Sequence, residues 1–288
     1  LEMADAFRHR GLKVRLVEQL DQVMASVDSS LAAIVRAELE GHSVEVLTGV
    51  GVEAISETHA GLQVRGGEGF EAVADLVLIV VGVRPDVELA KSAGLELGIR
   101  GAIHVDRHMR TSAPDVLAAG DCVETWHRVL RRTTYLPLGT TAHKQGRVAG
   151  DNAAGGLAEF AGSLGTQVVK VFDLAVARTG LRDVDAREGG FDPLTVETEE
   201  WDHKVYYPDA RRLRLRITGD RGTGRLLGAQ IVGDHRGQVA KRIDIFAGAL
   251  YADLKVADLL AMDLSYTPPF GAPWDVVQVA ADAWLAAV

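Results

Sequence analysis

The chain has 288 residues, 47% hydrophobic and 25% charged, with a formal net charge of −9 at neutral pH. This is the composition of an ordinary soluble globular protein of about two domains. The excess of acid speaks against nucleic acid or an anionic membrane as partner, because both need concentrated Lys and Arg. Small anionic ligands stay open, since backbone N–H groups bind them whatever the net charge. Cys122 is the single cysteine, which excludes an internal disulfide framework and a Cys-rich zinc site. No metal site is expected, and the reducing cytoplasm is the expected compartment. No run of 18 apolar residues is present, so no membrane-spanning helix is expected.

The chain opens on Leu1, Ala4 and Phe7 at helical spacing, with Gly11 placed to end that helix. A helix that starts without a cap leads us to expect residues upstream. Lys13–Glu18 reads as a strand. Asp28, Ser29 and Ser30 offer caps for a helix running to Glu40 and closed by Gly41. Ser43–Leu47 is the next strand, and Val52–Ser56, Leu62–Arg65 and Phe70–Val73 form a β-ribbon with Gly-rich turns. Leu76–Val81 is continuously apolar and reads as the buried centre of a parallel sheet. A short helix is expected at Pro85–Ala93, strands at Ala102–Val105 and Val116–Ala119, and a helix after Gly139.

The small-residue stretch from Gly155 to Gly165 reads as a boundary. Beyond it, Val168–Ala177, Leu194–Thr198, Leu213–Thr218 and Leu226–Val232 read as antiparallel strands. Helical stripes follow, one of Val239, Ile243, Phe246 and Leu250, another of Trp274, Val277, Ala281 and Trp284. The second stripe is rich in aromatic area, and we expect a second copy of the chain to cover it in a symmetric homodimer.

Several residues carry chemistry. Glu18 ends the strand after the first helix; in a dinucleotide-binding unit an acid there accepts hydrogen bonds from ribose hydroxyls and repels a 2′-phosphate. A solvated charge at a sheet edge fits the same position. Gly120-Asp121 closes an apolar strand: the glycine permits close approach of a ligand, and the short carboxylate can accept a hydroxyl hydrogen bond. Gly139, Thr140 and Thr141 lie at a helix N-terminus, whose free N–H groups and positive dipole suit an anion or simply a Thr cap.

The segments LEMADAF, KVRLVEQLDQVM, VVGVRPDVELAKSAGLEL, TSAPDVLAAGDC and LPLGTTAHKQGRVAGDNAAGG resemble the FAD-dependent pyridine nucleotide–disulfide oxidoreductases. ARTGLRD, HKVYYPDA, LLGAQIVG, KRIDIFAGAL and MDLSYTPPFGAPWDVVQVAADAW resemble the dimerisation domain of the CoA-disulfide reductase and NADH oxidase branch. The resemblance implies an α/β chain in three parts: a partial Rossmann-like NAD(P) domain over 1–100, a partial FAD domain over 101–163, and an α+β dimerisation domain over 164–288. It implies FAD and NADH or NADPH as cofactors. Glu18, Gly82, Val83, Gly120, Asp121, Leu138, Gly139, Thr140, Thr141 and Phe270 would meet them. Tyr266, Tyr206 and Tyr207 would be catalytic, supplied across the homodimer to a small disulfide or thiol such as CoA disulfide. The family's redox cysteine and NAD glycine loop belong upstream of Leu1, so Cys122 is expected to be structural and this chain alone to be inactive. His203 could meet a CoA phosphate, although a surface His is the simpler reading. The absence of a His after His235 points to single-cysteine chemistry. Two alternatives stand beside the CoA-disulfide reading: an NADH oxidase or peroxidase of the same family, and a non-catalytic dimerisation fragment.

Overall fold

The structure is a computed structural model that describes residues 1–288. Helix α1 (Glu2–His9) carries acids in its first turn and Arg8 and His9 in its last, the arrangement that the helix dipole favours. Gly11, at φ +78°, turns the chain into strand β1 (Val14–Glu18). Helix α2 (Ser29–Gly41) follows, with Asp28 at the N-cap position. The Asp28 carboxylate does not cap the helix. It accepts instead from Arg216 Nε at 2.9 Å and Gln230 Nε2 at 2.7 Å. Strand β2 (Val44–Thr48) pairs in parallel with β1 from Val14↔Val44 to Glu18↔Thr48. Strands β3 (Val52–Thr58), β4 (Gly61–Gly66) and β5 (Glu71–Ala74) form the antiparallel ribbon.

The expected central strand at Leu76–Val81 does not form. That segment has no ladder, and apart from the half-buried Val77 its side chains are exposed, from 46% at Leu78 to 88% at Val81. A central strand needs a paired neighbour on each side, and the parallel sheet of this chain consists of β1 and β2 alone. After a short helix α3 (Glu88–Ser92), the strands expected at Ala102–Val105 and Val116–Ala119 shrink to isolated bridges, Leu97↔Ile103, Ile103↔Val123 and Arg110↔Leu117. Strands β6 (Thr125–His127) and β7 (Arg132–Thr134) make a small hairpin, and helix α4 (Gly139–Ala153) follows. Ile103, Met109, Val123, Val148 and Phe160 lie in the core here.

Strands β8 (Gln167–Val171) and β9 (Leu174–Gly180) are a hairpin where one strand was expected. The chain reverses at Phe172-Asp173, with Phe172 at φ +51°. Helix α5 (Asp183–Glu188) leads to β10 (Pro193–Trp201), β11 (Arg212–Asp220) and β12 (Leu226–Asp234). The sheet runs β10-β11-β12-β9-β8 and is antiparallel throughout. Helices α6 (Val239–Tyr251), α7 (Val256–Leu260) and α8 (Val276–Ala287) complete the chain. Helix α6 packs on β9 and β12, α8 on β10 and β11, and α2 also reaches β8, β9 and β12. Residues of α2 share one core with Val171, Val176 and Val232 of the sheet.

The stripe expected to meet a second copy packs inward instead. Val277, Ala281 and Trp284 are buried, with Trp284 only 1% exposed and its Nε1 donating to Leu194 O at 2.8 Å. A Cβ on Gly219 would lie 2.6 Å from the Trp284 ring, so the glycine makes room for the indole against the sheet. Trp274 precedes the helix and stays 56% exposed. Periodicity marks an apolar helix face but not the surface that covers it, and here the chain's own sheet does so.

The fold is mixed α/β and divides into two compact units, residues 1–79 with 167–288, and residues 80–166. No helix is long and apolar enough to cross a membrane.

Candidate functional site

Within residues 80–166, the Gly120-Asp121 loop and the start of α4 are held together by one buried amide. Gly120 N donates to Gln145 Oε1 at 3.1 Å, while Gln145 Nε2 donates to Glu124 O at 3.1 Å and Thr125 Oγ1 at 3.3 Å. Gln145 shares the buried face of α4 with Thr141 and Val148, and Thr141 Oγ1 meets Ser163 Oγ at 3.0 Å. Gly120 sits at φ +93°, where a side chain is strained; a Cβ there would meet Ala142 at an ordinary 3.8 Å. Backbone conformation, rather than space, therefore asks for glycine.

Leu138 is the N-cap of α4 in extended conformation, and no side chain caps the helix. Gly139 and Thr140 are exposed, so the positive end of α4 opens to solvent. The Asp121 carboxylate is exposed beside it and engages no protein group, although its carbonyl accepts from Tyr135 Oη at 2.8 Å. Burial, then the Asp121 charge, push the Tyr135 phenol up from its ordinary value. Burial likewise raises the Cys122 thiol, helped by the charges of Asp121 and Asp86, and Sγ lies 3.5 Å from Ala119 O. Such a sulfur is a poor nucleophile at neutral pH. Gly82, at φ +93°, and Val83 lie in the exposed non-regular segment before α3.

Within the other unit, Glu18 stands at the carboxyl end of β1, the end at which parallel α/β sheets hold ligands. Its Oε1 accepts from Leu20 N at 3.0 Å. Further along the chain, Tyr206, Tyr207, Tyr266 and Phe270 are all exposed. The structure brings their two segments together. Lys204 N donates to Pro268 O at 3.2 Å, and the Tyr206 and Tyr207 rings lie 5.6 Å apart. Beneath them, the buried Arg242 donates to Asp202 O at 2.6 Å, Gly237 O at 2.7 Å and the Asp275 carboxylate at 2.9 Å. One guanidinium thus anchors the roots of both segments. His203 is not the surface group expected: its side chain is largely buried, against Asp202 Oδ1 at 2.9 Å and Pro208 O at 3.1 Å, closing its own loop.

Sequence reasoning missed Gln145, Tyr135 and Arg242. Gln145 carried a usable signal, a polar residue in register with the apolar face of its helix. Tyr135 and Arg242 act on backbone carbonyls far along the chain and leave no local pattern.

Residues 1–146 match the model of the pyridine nucleotide-disulphide oxidoreductase family, and residues 166–276 match that family's dimerisation domain. The chain belongs to this family, in the branch whose members include CoA disulfide reductases and NADH oxidases. It is 37% identical over 287 residues to the CoA-dependent NAD(P)H sulfur oxidoreductase of Pyrococcus furiosus, a match that covers 98% of this chain and 63% of the relative. It is 27% identical to the coenzyme A disulfide reductase of Staphylococcus aureus, covering 97% of this chain and 62% of that one. The solved NAD-dependent persulfide reductase of A. fulgidus superposes with a TM-score of 0.94 at 38% identity, covering 100% of this chain and 53% of that one. The chain thus spans a little over three-fifths of the length of the curated relatives it matches.

Proposed function

We propose that this chain is part of a flavoprotein oxidoreductase that passes electrons from NAD(P)H through FAD to a small disulfide such as CoA disulfide, in the reducing cytoplasm. The observation that carries the reading is the free Asp121 carboxylate beside the uncapped N-terminus of α4. This donor and acceptor set fits a flavin. Gly120 lets the backbone pass close to the cofactor, and Asp121 accepts from a ribityl hydroxyl. The first-turn N–H groups of Gly139, Thr140 and Thr141 favour negative charge at the pyrimidine edge. Bound there, FAD supplies the two-electron chemistry that links nicotinamide oxidation to disulfide reduction.

In the same reading, residues 1–100 form the NAD(P) part, 101–163 the FAD part and 164–288 the dimerisation part. Glu18 accepts from the adenosine ribose hydroxyls and disfavours a 2′-phosphate, which selects NADH. Gly82 and Val83 lie against the nicotinamide end. The exposed phenols of Tyr206, Tyr207 and Tyr266 are weak acids and donors suited to a leaving thiol. With Phe270 and Trp274 they expose much aromatic surface, which a second copy of the chain would cover in a symmetric homodimer. The relatives named sulfur oxidoreductase, persulfide reductase and CoA disulfide reductase support a sulfur acceptor.

The test is flavin binding. Titration of the purified chain with FAD, read by flavin fluorescence, should show weak saturable binding that Asp121→Ala reduces at least about tenfold, as loss of a charge-assisted hydrogen bond does. Equal affinity of wild type and Asp121→Ala would overturn the assignment of this loop.

A further inference from the structure

Away from the segments described above, Glu38, His42 and Asp173 converge on one point of the surface. Glu38 and His42 are four residues apart at the end of α2, so they share a face of the helix. Asp173 comes from the turn between β8 and β9. His42 Nε2 lies 3.3 Å from Glu38 Oε1 and 3.7 Å from Asp173 Oδ2. The three ligand atoms all lie within 4.8 Å of one another. We propose that these side chains bind a divalent transition-metal ion of the zinc type, which clamps the end of α2 to the β8–β9 turn.

The spacing suits such an ion. Ligands about 2.1 Å from a tetrahedral zinc stand about 3.4 Å from each other, so small rotations of Glu38 and Asp173 complete the set. Hydrogen bonding explains the cluster less well. Two carboxylates converge on one ring nitrogen, and Nε2 carries at most one N–H, which points in one direction. A cation at the centre satisfies all three at once, with water filling the fourth position.

The groups are also held in place. The imidazole of His42 stacks on Phe172 with centroids 4.1 Å apart and planes 3° from parallel. Arg8 Nε donates to His42 O at 2.9 Å, Asp173 N donates to Glu38 Oε1 at 2.8 Å, and His235 N donates to Asp173 O at 2.8 Å. The neighbouring Lys170 and Arg8 are engaged elsewhere. Lys170 Nζ meets Asp5 Oδ2 at 3.2 Å, and Arg8 is spent on the carbonyls of His42 and Leu12. An open pocket of about 340 Å³, lined in part by His42, Phe172 and Asp173, gives an ion access and room for its water.

The experiment uses the full chain, freed of metal by chelator and titrated with Co²⁺ and Zn²⁺. One equivalent should bind, Co²⁺ should give the visible absorption of a low-coordinate site, and zinc should raise the thermal midpoint. His42→Ala, Glu38→Gln and Asp173→Asn should each weaken binding at least about tenfold. His59→Ala, in an exposed turn, should leave it unchanged. Asp173 is largely exposed, so Asp173→Asn keeps the test valid should the helix variants lose structure. Absence of saturable binding, or binding that Asp173→Asn leaves intact, would overturn the proposal.

Discussion

The five-stranded sheet and residues 80–166 solve the same problem in different ways. In the sheet the backbone satisfies itself. β11 is laddered to β10 and β12 along nearly its whole length, and eight of the nine residues of β12 are buried. Side chains there are left to pack. In residues 80–166 the only ladder of strands is β6 with β7, and buried or half-buried side chains serve the loops. Glu124 accepts from Ile99 N at 2.6 Å and contacts His104 Nδ1 at 2.7 Å. Asn152 Nδ2 donates to His108 O at 2.8 Å and Ala158 O at 2.9 Å. The lesson is that where strand ladders are few, buried polar side chains such as Glu124 and Gln145 take over the pairing of backbone groups, because buried backbone groups must be paired somewhere.

The sharpest test of this contrast is Trp284→Ala. It empties an indole-sized space and frees Leu194 O, and should cost about 3–5 kcal/mol in urea unfolding followed by circular dichroism. A loss near zero would place the indole outside the core. Next in size is Gln145→Leu, which keeps the volume but strands Gly120 N and Glu124 O. The expected loss is about 1–3 kcal/mol, with faster hydrogen exchange at the Gly120 amide. If this variant were neutral, the polar-core account of residues 80–166 would fail.

A smaller, pH-dependent effect is expected at Asp234, which closes β12. Hydrogen bonds from Arg236, then its charge and that of Arg211, hold the carboxyl at about 2, below its ordinary value of 3.8. A depressed folded pKa means that the stabilisation is full above 3.8 and is lost as pH falls through about 2. The stability gap between wild type and Asp234→Asn should accordingly be constant near neutrality and close between about pH 4 and pH 2. A gap that persists at pH 2 would assign it to packing. The smallest effect on folding belongs to Trp274→Ala, within about 0.5 kcal/mol, since that side chain is exposed. In sedimentation velocity the same substitution should weaken self-association, if the aromatic surface meets a second copy.

Much of the sheet unit was legible. The stripe of Val239, Ile243, Phe246 and Leu250 emerges as the buried face of α6, and the β-ribbon of residues 52–74 lies within a few residues of its expected bounds. Gly120-Asp121 and the start of α4 were visible as motifs. Their support by Gln145 was not, because a backbone amide 25 residues away leaves no periodic mark. The polar loops of residues 80–166 were the least legible, since strand propensity at Ala102–Val105 and Val116–Ala119 met no partner beyond isolated bridges.

By itself the sequence determined which faces are apolar, where several helices end, and which family's motifs the chain carries; these are local properties of spacing and residue type. The tertiary structure alone decided what each face meets. It turned Trp284 onto the chain's own sheet, left Leu76–Val81 without a ladder, broke one expected strand at Phe172-Asp173, and brought Asp173 to Glu38 and His42. Each outcome depends on a contact between residues far apart in the chain. Burial free energy scales with the area removed from water, whichever surface removes it, so an apolar pattern specifies that a face is covered and not by what.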